Sequence, residues 1–154
     1  MIDTPQISET RAQQTAVIHL TIPREKIREV MGPGLNELMG AVAAQGKKPV
    51  GPWLTHHLRT DPATFDFEIS IPVDSPVTAA GRVKPSELPG ATVARTVYRG
   101  PYEGLAAAWG EFNAWIRASG RTPAENLWEC YVAGPESGPD PSTWRTELNR
   151  PLLD

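Results

Sequence analysis

The chain has 154 residues and a formal net charge of -3, with 40% hydrophobic and 21% charged residues. That balance fits one globular domain and lacks the charge excess of a disordered chain, and the net acidity argues against a nucleic-acid surface, which usually shows a basic face. One cysteine excludes an internal disulfide framework and fits a reducing cytoplasm. No apolar run approaches the roughly 20 residues needed to span a bilayer.

Residues 1–14 are polar, without the hydrophobic stretch of a signal peptide, and are expected to form a flexible tail. Thr15 to Ile22 alternates β-branched residues and reads as a strand. Pro23 stops it and opens a short helical turn over Arg24 to Val30; Gly32-Pro33-Gly34 then breaks the backbone. A new helix carries Leu35, Leu38, Met39 and Val42 on one face and ends at Gly46. Trp53 to Leu58 and Phe65 to Val73 read as an antiparallel pair. The prolines and glycines of residues 75–90 mark a connector. Thr92 to Arg99 resumes as a strand, followed by a turn at Gly100-Pro101. The next helix stripes Leu105, Ala108, Trp109, Phe112, Trp115 and Ile116, and Gly120 caps it. Trp128 to Ala133 and Trp144 to Leu152 close the chain as a second strand pair.

The second half echoes the first. Asp61-Pro62-Ala63-Thr64 returns as Asp140-Pro141-Ser142-Thr143, Glu68 as Glu147, Pro72 as Pro151, and Trp53 as Trp128. A near-constant offset marks a duplicated unit. The expected fold is α+β: duplicated βαββ units with pseudo-twofold symmetry, antiparallel sheets, two helices on one face and a ligand cleft on the other. Residues 15–154 form a single domain, with unit one at about 15–74 and unit two at about 91–154.

Strand alternation gives the candidate site. Trp128, Cys130 and Val132 are apolar and are assigned to the helices, which turns Glu129 and Tyr131 into the groove. Phe65, Phe67, Ile69 and Ile71 likewise meet the helices, while Asp66, Glu68 and Ser70 face away. Glu147 is expected on the same open face as Glu129. A carboxylate beside aromatic rings suits a flat organic cation, through charge pairing and cation–π contact. Tyr102, after the Gly100-Pro101 turn, and His56, in the place of Tyr131, are further ligand-binding candidates. Trp109, Phe112 and Trp115 are assigned to the core. His56 and His57 point to opposite faces of a strand, so no metal centre is expected, and no cofactor is implied. Cys130 reads as packing, and no serine stands in a nucleophile elbow.

The chain resembles the GyrI-like small-molecule-binding domains, the effector-binding domains of multidrug-responsive bacterial regulators. Gly100-Pro101-Tyr102-Glu103-Gly104, Trp128-Glu129-Cys130-Tyr131-Val132, Thr146-Glu147 followed by Pro151, and Gly51-Pro52-Trp53 with Pro72-Val73 carry the likeness, from about Thr15 onward. The resemblance implies a central cleft that takes amphipathic, often cationic, aromatic ligands around a strand glutamate matching Glu129. Relatives within regulators follow a helix-turn-helix module; the short polar tail here implies a stand-alone version with no direct nucleic-acid or membrane partner. Some stand-alone relatives sequester toxic compounds, some hydrolyse electrophilic drugs, and the namesake protects DNA gyrase. Two departures are Ala133-Gly134-Pro135, where relatives carry a polar pair, and Cys130 in place of valine.

The expectation is therefore a cytoplasmic small-molecule-binding protein built around Glu129. One alternative is a hydrolase of strained or electrophilic xenobiotics with Glu129 as general base and Tyr131 or Tyr102 as donor. A further alternative is a protein-interaction role such as topoisomerase protection, with no protein partner named.

Overall fold

In the computed structural model, which describes residues 2–59, 61–135 and 138–153, eight strands and two helices are named. In chain order they are β1 (Gln6–Glu9), β2 (Gln13–Pro23), α1 (Ile27–Ala44), β3 (Leu54–Arg59), β4 (Thr64–Pro72), β5 (Val83–Leu88), β6 (Thr92–Arg99), α2 (Leu105–Ala118), β7 (Leu127–Ala133) and β8 (Arg145–Pro151). The class is α+β with antiparallel strands, as expected. The chain divides into two compact units: a first over Arg11–Gly90, and a second joining Met1–Thr10 to Ala91–Asp154.

The first unit orders its strands β3-β4-β2-β5. The β2–β4 register sets Ala16 opposite Ile71, Ile18 opposite Ile69 and Leu20 opposite Phe67, so these share one face. Leu38 and Val42 of α1 bury that face with them. Each fully buried aliphatic or aromatic side chain there is worth about 1.5–3 kcal/mol. The alternation expected for β4 holds, with Phe67, Ile69 and Ile71 toward α1 and Asp66 and Glu68 on the other side. Two expectations change. Gly32-Pro33-Gly34 does not break the chain: a 3-10 turn at Arg24–Lys26 leads into one helix that runs through Pro33. Proline removes one backbone donor, at about 3 kcal/mol in a helix interior. The burial of Gly34, Leu38 and Val42 along α1 opposes that cost. The connector is also not plain loop, because β5 adds to β2 inside it.

The second unit orders its strands β1-β6-β8-β7. Residues 1–14 are therefore not simply a tail: β1 pairs along β6, and Asp3 holds the Arg99 guanidinium in two hydrogen bonds of 3.0 and 3.1 Å. A four-residue strand with one apolar residue, Ile7, carries too little alternation to be read alone. Ala108, Phe112 and Ile116 of α2 bury against Ala94, Tyr98 and Leu148.

Each unit is thus βαββ plus one added edge strand, and the repeated residues do the same local work in both. The Asp61 carboxylate accepts the Ala63 N–H at 2.8 Å, and the Asp140 carboxylate accepts the Ser142 N–H at 3.0 Å. These are Asx turns into the following strand. A register shift follows His57 in β3 and Tyr131 in β7, so the two bulges also correspond.

Candidate functional site: a buried carboxylate among aromatic rings

Glu129 lies on β7, directly opposite Leu148 of β8, and Leu148 belongs to the core beneath α2. The glutamate therefore faces α2. Trp109 on that helix donates its indole N–H to Glu129 Oε2 at 2.6 Å, and the Tyr131 hydroxyl donates to Oε1 at 2.8 Å. Only 9% of the residue's surface is exposed. Burial pushes the carboxyl above its usual range, and the Trp109 and Tyr131 hydrogen bonds pull partly back by favouring the ionised form. Among the described residues no cationic side chain forms an ion pair with it. Its two partners are neutral donors.

Aromatic rings surround the pair. Tyr102 meets Tyr131 edge-on at a centroid distance of 5.9 Å and lies 5.2 Å from Trp144. Trp109 packs on Phe112 at 5.6 Å. Thr146, fully buried, stands opposite both Tyr131 and Tyr98 on the same face. The arrangement is an acid in an apolar, π-rich setting. Such a setting disfavours bare negative charge and rewards a cation placed against a ring face.

A family model for the GyrI-like small molecule binding domain matches residues 4–152. The chain belongs to that family. No curated protein matches it in a sequence search. Among solved structures, the C-terminal domain of EcmrR superposes with a TM-score of 0.86 at 18% identity, covering 98% of each chain. In the EcmrR–DNA complex the same relative gives a TM-score of 0.84 at 19% identity, with 97% of this chain covered; the chain spans 57% of that EcmrR chain. SAV2435 bound to tetraphenylphosphonium gives a TM-score of 0.67 at 13% identity, covering 97% of this chain and 94% of that one. A hydrolase from Listeria innocua gives 0.66 at 13% identity, covering 96% and 91%. At these identities the likeness establishes the GyrI-like fold.

Of the residues singled out in the sequence, Glu129, Tyr131 and Tyr102 come together in the second unit. Glu129 and Tyr131 do so on the helix side of β7, the reverse of the expected side, and Tyr102 joins them from the turn before α2. The apolar set that alternation assigned to the helix, Trp128 and Cys130, lies on the other face, and Val132 at the bulge is 53% exposed. Glu147 sits opposite Cys130, so the two acids occupy opposite faces of the sheet. Glu147 is tied there to Arg95 at 3.5 Å and receives the Asn149 amide at 3.2 Å. The Cys130 thiol is pushed up to about 12, chiefly by burial, which leaves no thiolate for attack.

His56 stands opposite Glu68, away from α1, with Nδ1 3.7 Å from the Glu68 carboxylate. His57 is the one that faces α1, stacked on Phe67 at 5.3 Å and edge-on to Phe65. Burial, helped by the nearby His56 and Arg24 charges, lowers His57 to about 4. The register explains the slip. Leu54 opposite Ser70 corresponds to Trp128 opposite Asn149, so Thr55 is the counterpart of Glu129 and His57 that of Tyr131. Matching Trp53 to Trp128 moved each match between β3 and β7 by one residue. Among the described residues no group of three or more His, Cys, Asp or Glu could hold a metal ion.

The sequence reading assigned Trp109 to the core and left Trp144 out of the site. A partial signal was present in Trp109: its indole N–H needs an acceptor when enclosed, and a carboxylate is a strong one.

Proposed function

We propose that this GyrI-like domain binds lipophilic aromatic cations, with Glu129 as the charge partner and Trp109, Tyr131, Tyr102 and Trp144 as the surrounding rings. The observation that carries the reading is an enclosed carboxylate whose hydrogen bonds come from neutral donors. A cation supplies the charge that the protein withholds, whereas a neutral ligand of the same shape leaves the acid protonated or uncompensated. The tetraphenylphosphonium complex of SAV2435, a protein of the same fold, points the same way. Likeness to the EcmrR C-terminal domain suggests an effector-binding role.

Calorimetric titration with tetraphenylphosphonium tests the reading. Wild-type protein binds saturably; Glu129→Gln, which keeps the shape and removes the charge, weakens binding at least about tenfold, or about 1.4 kcal/mol. Neutral triphenylphosphine oxide binds the two proteins alike. Equal affinity of both proteins for the cation would remove Glu129 from the site.

A second reading has one observation in its favour: a carboxyl with a raised pKa beside a phenol can serve as general base or acid. Incubating the protein with an electrophilic strained-ring compound while following it by chromatography separates the two readings. Product that accumulates with turnover, and is lost in Glu129→Gln, marks a hydrolase; compound recovered intact marks a binding protein.

A further inference from the structure

Tyr102 is the ring of the site that stands on the shortest element, a three-residue 3-10 turn, Tyr102–Gly104, between β6 and α2. Its place next to Tyr131 and Trp144 depends on how that turn is held. The Pro101 carbonyl, immediately before Tyr102, accepts two hydrogen bonds: the Gly104 N–H at 3.1 Å and the hydroxyl of Tyr98 at 2.8 Å. Tyr98 is a buried β6 residue, 5% exposed, facing α2. The turn closes tightly around its phenol. A Cβ on Gly104 would lie 2.0 Å from the Tyr98 hydroxyl oxygen, and one on Gly100 would lie 2.9 Å from it, at a φ of +140° that side chains rarely adopt. On the far side the Gly100 N–H donates to the Trp144 carbonyl at 3.1 Å.

The first unit shows that the fold does not require this phenol. Leu20, opposite Phe67, corresponds to Tyr98, opposite Thr146. The equivalent 3-10 turn at Arg24–Lys26 forms there with leucine in place of the tyrosine. The hydroxyl is confined to the unit that carries Glu129.

Resting on the cation-binding reading of Glu129, we propose that Tyr98 is a positioning residue for the ligand site. Its hydroxyl fixes the Pro101–Gly104 turn so that the Tyr102 ring stays against Tyr131 and Trp144, and this sets how large an aromatic cation the site holds well. Tyr98 itself spends its proton on the turn and contributes no contact to the ligand.

Tyr98→Phe removes one oxygen and tests the idea twice. The protein has three tyrosines, so ring-labelled tyrosine gives an NMR spectrum in which Tyr102 is identified by Tyr102→Phe. In Tyr98→Phe the Tyr102 ring signals move toward random-coil positions as the ring currents of Tyr131 and Trp144 are lost. This readout needs no ligand, so it stands even where wild-type protein fails to bind cations and the functional reading falls. With ligand, tetraphenylphosphonium weakens at least about fivefold (roughly 1 kcal/mol) while tetramethylammonium, too small to reach the wall, changes less than twofold. Tyr102→Ala reproduces that loss of selectivity on its own, and adding Tyr98→Phe to it takes away nothing more. Unmoved Tyr102 signals in Tyr98→Phe, or additive losses in the double variant, overturn the proposal.

Discussion

The two units share a backbone and differ along one row of side chains. Both have the βαββ order, the Asx turn, the late bulge and a glutamate facing away from the helix, Glu68 in one and Glu147 in the other. On the helix-facing row the register pairs Thr55 with Glu129, His57 with Tyr131, Leu20 with Tyr98 and Phe67 with Thr146. Counting from the helix starts, Met31 of α1 matches Trp109 of α2. In the first unit this row contributes to a mainly aliphatic and aromatic core. In the second it carries an acid, two phenols and an indole. Turn and strand chemistry is shared because each unit needs it to form; on the inner row the acid, one phenol and the indole of the second unit are joined by hydrogen bonds.

The difference is greatest at the Phe67 and Thr146 positions, and so is the expected effect. Phe67 is fully buried, and Phe67→Ala should cost about 3–5 kcal/mol in urea unfolding. At the matching position the Thr146 hydroxyl is buried with no hydrogen-bond partner among the described residues. Thr146→Val, which replaces it with a methyl group of similar size, should leave stability unchanged or raise it by about 1 kcal/mol. A loss of more than about 1 kcal/mol in Thr146→Val would show that the hydroxyl is satisfied, and the contrast between the rows would weaken.

Next in size is pH dependence, where the two units should pull in opposite directions. His57 is held neutral at about 4 against an ordinary value of 6.5, so the unfolded chain binds more protons in that window. Its contribution is fully present above pH 6.5 and is lost as pH falls toward 4, up to about 3 kcal/mol at 1.36 kcal/mol per pH unit. Glu129 is raised, so the folded protein holds the extra proton. Stability from Glu129 is highest below its ordinary value and falls as pH rises through the raised one. Chemical unfolding from pH 4 to 8 in His57→Gln and Glu129→Gln separates them: the first flattens the acid limb, the second the rise-side loss. A wild-type acid limb retained in His57→Gln would assign it to other groups.

How much of this was open to the sequence follows from the range of each interaction. Asp61-Pro62 and Asp140-Pro141 could be read because an Asx turn is closed within two residues. The strands of both pairs could be read for the same reason, since alternation is local. The covered face of β7 could not. Trp128, Cys130 and Val132 are more apolar than Glu129 and Tyr131, and patterning alone sends the apolar set inward. What reverses it is a hydrogen bond between residues 20 positions apart, Trp109 to Glu129, supported by Tyr131. Pro33 misled in a similar way: a local helix breaker was outweighed by the burial of Gly34, Leu38 and Val42 beyond it.

The smallest effect isolates the indole. Trp109→Phe keeps a ring against Phe112 but removes the donor to Glu129 Oε2. One of the two bonds that favour the ionised carboxyl disappears, so Glu129 should titrate still higher, as followed by the carboxyl carbon shift in NMR. Cation affinity near neutral pH should fall by less than in Glu129→Gln, because the charge remains available at the cost of releasing a proton, and the shortfall should shrink as pH rises. That pH-dependent recovery is specific to an electrostatic role for Trp109. A ring serving only to fill space would leave the Glu129 titration where it was, and Met31, its counterpart under the aliphatic core of the first unit, would then be the better guide to what Trp109 does.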